Sequence, residues 1–148
     1  MDDRDGLLVR FVYRDTDRTG ELGVQVRSGG FAGAAAAWFG DDELLGFSGR
    51  LTACPLGDSR PGISGGYTED GHVAEYVGLT ARAVGRRGQV GVLVHLATAI
   101  EHPGSSTGEV RVEVMTSYEA LGRFAAQLRQ LVEGTADEAR LDAEEVGR

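Results

Sequence analysis

The spacing Leu-x-x-Phe-x-x-x-Leu occurs twice in this chain, at Leu44, Phe47 and Leu51 and again at Leu121, Phe124 and Leu128. It limits the fold more than any other feature, because residues three and four apart share one side of a helix and the resulting apolar stripe must be covered by other elements. The second stripe continues through Tyr118, Ala125, Leu131 and Val132. It follows directly on "EVRVEVM" (109–115), where Val110, Val112 and Val114 alternate with Glu109, Arg111 and Glu113. Alternation of that kind predicts a strand with one wet face. At the junction, Thr116 and Glu119 have the spacing of a capping box, and Glu119 with Arg123 that of a helical ion pair. The first stripe lies in "DDELLGFSGRLTACP". There Asp41 is placed to cap, Asp42 and Glu43 suit the positive first turn, and Pro55 ends the helix.

Strands are predicted from period-two alternation. Leu7, Val9, Phe11 and Tyr13 alternate with Leu8, Arg10, Val12 and Arg14, and Leu22, Val24 and Val26 alternate with Gly23, Gln25 and Arg27. The turn-forming "DTDRTGE" between them makes a hairpin. "FAGAAAAWFG" (31–40) admits a helix through its alanines or a strand through its flanking glycines and Trp38-Phe39; the strand is preferred. Three more strands are expected at 73–84, 89–100 and 109–115. The middle one is apolar or small on both faces, with His95 among Gly91, Leu93, Ala97 and Ala99, and reads as a central strand covered on both sides. "PLGDSRPGISGGYTEDG" (55–71) has two prolines and no period, so it reads as a long connection with room for a short strand near 63–68.

The expected fold is therefore α+β, a mainly antiparallel sheet of about six strands with two helices, in one domain over residues 1–134. The order of elements fits two β-β-β-α halves joined by 55–71, and helical spacing alone leaves open whether this is a true duplication. The acidic remainder, 135–148, has only Leu141 and Val146 as large apolar residues and is expected to be frayed helix or disordered.

A net charge of −8 with no long basic stripe argues against nucleic acid as a partner. The longest uncharged apolar run, Gln89 to Ile100, is too short for a membrane helix. "MDDRDG" lacks the basic and apolar regions of a secretory signal, which gives a cytoplasmic expectation. All 15 basic residues are arginines, so neither a P-loop lysine nor a Schiff-base lysine exists. His72, His95 and His102 fall in separate elements without ligand spacing, so no metal and no cofactor is expected. Cys54 reads as a small buried residue and Trp38-Phe39 as core packing. Ser64, His72 and Asp70 can be grouped as a triad on paper, but "GISGG" lacks the nucleophile-elbow offsets, so no catalytic residue is assigned.

With its two Leu-x-x-Phe-x-x-x-Leu helices, the long hairpin "LTARAVGRRGQVGVLVHL" and the closing "EVRVEVMTSYEALGRFAAQL", the chain resembles the WapI-type immunity proteins of bacterial polymorphic toxin systems. It is similar in the same way to small domains found in actinobacteria, over about residues 7 to 133. Such families often carry an acid at the start of the last helix, where this chain has "MTSYEAL". The resemblance implies a non-enzymatic protein that neutralises a toxin by stoichiometric binding. The acidic balance suits a basic protein partner, and Asp58, Glu69 and Asp70 in the irregular 55–71 segment are the residues expected to face it. Two rivals stand beside this reading. One is a small-molecule binder with a cavity between sheet and helices. The other is an enzyme built on His95 or His72, which requires a buried histidine within hydrogen-bond reach of an acid.

Overall fold

The computed structural model describes residues 4–85, 87–99, 104 and 106–144. In chain order the elements are β1 (Gly6–Arg14), β2 (Thr19–Ser28), β3 (Phe31–Gly40), α1 (Asp41–Leu51), β4 (Gly62–Glu69), β5 (His72–Val84), β6 (Gln89–Ala97), β7 (Glu109–Ser117), α2 (Tyr118–Glu133) and β8 (Ala139–Asp142). The fold is α+β with antiparallel strands and two helices, as expected. Among the described residues the strands number eight rather than about six, and they form two sheets, ordered β3-β2-β1-β8 and β4-β5-β6-β7.

The two strands beyond those six lie where periodicity is hardest to see. β4 is the short strand for which the 55–71 connection left room near 63–68, and its glycines weaken the alternation. They are there for close approach: a Cβ on Gly65 would sit 2.6 Å from the Phe39 ring, and the ladder with β5 shifts at Gly65/Gly66. β8 corrects the expectation of a frayed or disordered tail. It pairs with β1, setting Leu141 beside Leu7 and Ala139 beside Val9, and both of its apolar side chains are wholly buried. Four residues are too few to show a period, but β1 supplies the ladder that holds them.

The sheets pack through one face each. β3 touches all four strands of the second sheet, and since β4 and β7 are that sheet's opposite edges, β3 crosses it transversely. Two close approaches mark the ends of the crossing. Gly33 meets Val110 of β7, where a Cβ would stand 2.5 Å from the valine Cγ1, and Gly65 of β4 meets Phe39. β3 is thus the strand preferred from sequence, and its small residues let two backbones approach. Because neighbouring residues of a strand point to opposite faces, Phe39 is buried and Trp38, expected in the core, is 50% exposed.

The six residues of the repeated helical spacing are all buried, and α1 packs against α2. The caps differ from expectation by one residue at each helix. Gly40 rather than Asp41 is the N-cap of α1, its N–H donating to Glu43 Oε1 at 3.0 Å. Asp41 instead receives two hydrogen bonds from Arg14, at 2.9 and 3.1 Å. Ser117 rather than Thr116 caps α2, accepting from the Ala120 N–H at 3.1 Å. Thr116 still belongs to β7, is fully buried and donates to the Asp142 carbonyl, tying the second sheet to β8. Cys54 is exposed, not buried, because α1 ends at Leu51 and the chain turns outward before it.

The two halves are topologically equivalent. β4 follows α1 and pairs with β5, the first strand of the next meander; β8 follows α2 and pairs with β1 in the same way.

Candidate functional site

Each sheet has one face in the core and one outside, and the two exteriors differ in chemistry. On the second sheet, register aligns Ser64, Gly78, His95 and Arg111 in a row across β4 to β7. Gly78 leaves room for the Glu75 carboxylate to lie flat on the sheet and reach His95. His95 is 8% exposed, its Nδ1 2.6 Å from Glu75 Oε1 and its Nε2 2.8 Å from Glu109 Oε2. Glu75 also accepts from the Ser64 hydroxyl. Gly91 performs the same service for Glu113, which pairs with Arg82 through two hydrogen bonds of 2.8 and 2.9 Å. The face of β6 expected to lie under another element is therefore covered by long carboxylate side chains, with Leu93 left 44% exposed.

These pairings set the charges. Burial pushes the Glu75 carboxyl up, but the Ser64 hydroxyl, His95 and Arg111 together outweigh it and hold the group below its usual range. The hydrogen bond from His95 lowers Glu109, and that from Arg82 lowers Glu113. A buried histidine beside an acid is what a His95-based enzyme requires. Here, however, both ring nitrogens face carboxylate oxygens, and the Ser64 hydroxyl donates to Glu75 rather than to an imidazole. The paper triad does not assemble either. Ser64 and Glu69, the register partner of His72, stand five residues apart along β4, about 17 Å.

Among the described residues, no element covers the exterior of the first sheet. Two adjoining depressions lie on it, of about 330 and 580 Å³, sharing Leu8, Arg10, Gln25 and Ala34. Together they form a trough floored by Gly23, Ala32, Ala34 and Ala36. Arg4, Arg27 and Arg140 line it at one end and Arg10, which borders both depressions, stands between the ends; among the described residues no carboxylate lines either depression. At the other end Trp38 and Tyr13 meet edge to face with ring centroids 5.7 Å apart. Nearby Val12 is 62% exposed, and Phe31 at the start of β3 is 66% exposed. Both depressions are outside the first sheet, not between sheet and helices where a small-molecule cavity was expected.

The acids expected to face a partner do not converge. Asp58 is exposed in the connection after α1, whereas Glu69 ends β4 and Asp70 occupies the turn beyond it, with φ 50°. The extended strand between them is about 24 Å long. Among the described residues, no group of three or more His, Cys, Asp and Glu is placed to hold a metal, and no helix is long and apolar enough to cross a membrane. His102 lies outside the described residues.

Sequence reasoning missed the trough although its parts were visible, since Leu8, Arg10 and Val12 were placed on one face of β1 and Gly23, Gln25 and Arg27 on one face of β2. What it lacked was the knowledge that this face stays uncovered. Two sheets, two helices and one ionic and one apolar exterior define a small α+β protein with unequal outer surfaces. Compared with protein-family models, with curated proteins and with solved structures, the chain matches none of them.

Proposed function

We propose that this protein is a non-enzymatic, stoichiometric protein-binding module whose contact surface is the trough on the outer face of the first sheet. The observation that carries this reading is the contrast between two topologically equivalent exteriors. One is sealed by carboxylates paired with His95 and Arg82; the other leaves Val12 and Trp38 in water above a floor of alanine and glycine. Exposed aromatic residues and arginines, with no acid among the described lining residues, suit a protein-contact core. Small floor residues let a partner approach close to the backbone, and a shallow open trough suits a surface better than an enclosed small molecule. Neutralisation of a toxin is the particular form of binding that the resemblance to immunity proteins supports.

The reading is tested with a photo-crosslinking amino acid placed at Ala34, in the trough, or at Leu93, on the opposite exterior, of the full chain in its host cell. Adducts to a defined protein are expected from Ala34 and not from Leu93. Adducts from Leu93 alone, or from neither position, would overturn it.

A further inference from the structure

β3 borders the trough, and among the described residues its one ladder neighbour is β2. Its ten residues, "FAGAAAAWFG", carry no charge and no proline, and the ladder runs from Ser28 opposite Phe31 to Thr19 opposite Gly40 without a shift. The other edge strands are interrupted. On β7 the Met115 carbonyl accepts from the Glu144 N–H and the Glu113 carbonyl from the Ser28 hydroxyl. β4 shifts register at Gly65/Gly66, and Arg50 donates to its Gly62 carbonyl. β8 has four residues, two of them charged. Devices of this kind blunt an edge, whereas a long, regular and uncharged one is a template for another strand.

The ladder fixes which main-chain groups point away from β2. The Asp41 N–H donates to the Arg18 carbonyl at 2.9 Å, so the bonded pairs recur at every second residue back along β3, at Phe39, Ala37, Ala35 and Gly33. The N–H and C=O of Ala32, Ala34, Ala36 and Trp38 are therefore directed to the other edge. Beyond that edge the second sheet continues as a floor. Gly65, Val77, Leu96 and Val110 are register neighbours across it, and β3 runs along them, with Phe39 at Gly65 and Gly33 at Val110. β2 lies to the Glu113 side of this line, so the edge looks toward the turn between β4 and β5. There Glu75 points outward to His95, which sends Ala74 and its partner Tyr67 to the core-side face. Both are nevertheless exposed, Tyr67 by 53%.

We propose that an extended segment of a partner protein adds to this edge as a further strand, pairing its main chain with Ala32, Ala34, Ala36 and Trp38 and laying alternate apolar side chains on Tyr67 and Ala74. The inference rests on the trough side of the molecule being the binding surface, and adds how the partner is held. A strand about 4.8 Å beyond β3 stands at the margin of the trough and over the Tyr67–Ala74 pair, which lies about 7 Å past the Gly65–Val77 line. Main-chain bonds then give affinity and alternate side chains give selectivity. An alternating apolar sequence fits, because its inward set prolongs the core between the sheets. A second copy of this chain is disfavoured, since its own β3 would carry a second sheet into the space held by the β4–β5 hairpin.

The test uses the Ala34 photo-crosslinker in the full chain as parent, with Ala36→Pro or Tyr67→Ser added and each thermal midpoint compared with the parent. Ala36→Pro removes one outward N–H and no bond to β2. Tyr67 lies outside the trough, so Tyr67→Ser weakens a partner strand but not a partner seated on the outer face alone. Adduct yield is expected to fall about tenfold in Ala36→Pro and about threefold in Tyr67→Ser; a proline variant with a lowered midpoint leaves the decision to Tyr67→Ser. In the free chain the amides of Ala32, Ala34, Ala36 and Trp38 should exchange hydrogen faster than those of Gly33, Ala35, Ala37 and Phe39. Equal protection of the two sets, a yield unchanged in Tyr67→Ser, or an adduct with twice the mass of the chain overturns the inference and leaves the trough as a contact surface. Absence of any adduct in the parent protein removes both.

Discussion

Replacing Leu141 by alanine tests whether the chain after Gly134 belongs to the fold. The leucine is wholly buried in β8 against Leu7 of β1, itself buried, although it lies in a segment whose composition reads as an acidic tail. Removing a buried leucine side chain costs about 2–5 kcal/mol, depending on how far the site collapses. β8 has only four residues and one ladder neighbour, so part of the cavity can close and the lower half of that range applies, about 3 kcal/mol. For a domain of this size that lowers the thermal midpoint by about 6–12 °C. With a urea dependence of about 2 kcal/mol per molar, it moves the urea midpoint down by about 1.5 M. Chemical denaturation followed by tryptophan fluorescence reads this directly, since Trp38 is the only tryptophan. If the variant unfolds within about 0.5 kcal/mol of the parent, as a surface or tail substitution does, the packing of β8 described above is wrong.

Three further outcomes follow from the packing. Gly65→Ala should destabilise by about 1–3 kcal/mol, because its Cβ would press on the Phe39 ring and Ala37, whereas Gly49→Ala, in an open helical position, should stabilise by up to about 1 kcal/mol; opposite signs in parallel denaturation curves are the check. Arg14→Ala strips the buried Asp41 of two hydrogen bonds and removes a guanidinium stacked 4.2 Å from the Phe11 ring; Arg14 is partly exposed, so a loss of about 2 kcal/mol is expected, and a double variant with Asp41→Asn should lose less than the two single changes combined. Because Glu75 is held below its ordinary value of 4.5, its folded form stabilises the protein fully above that pH and the contribution is lost as the pH falls through the lowered value. The stability gap between the parent and Glu75→Gln should accordingly be widest above about pH 5 and shrink in acid; a gap that widens below pH 4 would refute the pairing.

Long elements with a clear period were legible. The helical stripes at Leu44/Phe47/Leu51 and Leu121/Phe124/Leu128 are buried as read, and β1, β2 and β5 to β7 lie close to where alternation placed them. Alternation says which residues share a face but not which sheet the face belongs to, so one sheet was expected where two are packed. β4 was legible only as room for a short strand near 63–68, because its glycines, needed for the approach of Phe39, weaken the pattern that marks a strand. The surroundings of His95 were illegible for another reason. Its acids come from positions 75 and 109, brought together by the register of β5, β6 and β7 and by the space above Gly78, none of which has a local sequence signal. Asp58 and the pair Glu69 and Asp70 are set apart by the full length of β4, which the expected short strand near 63–68 already begins to separate.

Gly6 and Asp142 are ladder partners, just as Glu69 and His72 are across the β4–β5 turn. The ten elements can therefore be traced as a closed loop with a single gap, and the architecture does not dictate where that gap falls. A circular permutant, ligated through a short hairpin between β8 and β1 and opened in the exposed stretch after α1, keeps every strand neighbour and both helix positions. Its refolding would show that three-dimensional adjacency, not linear order, is what the sequence encodes.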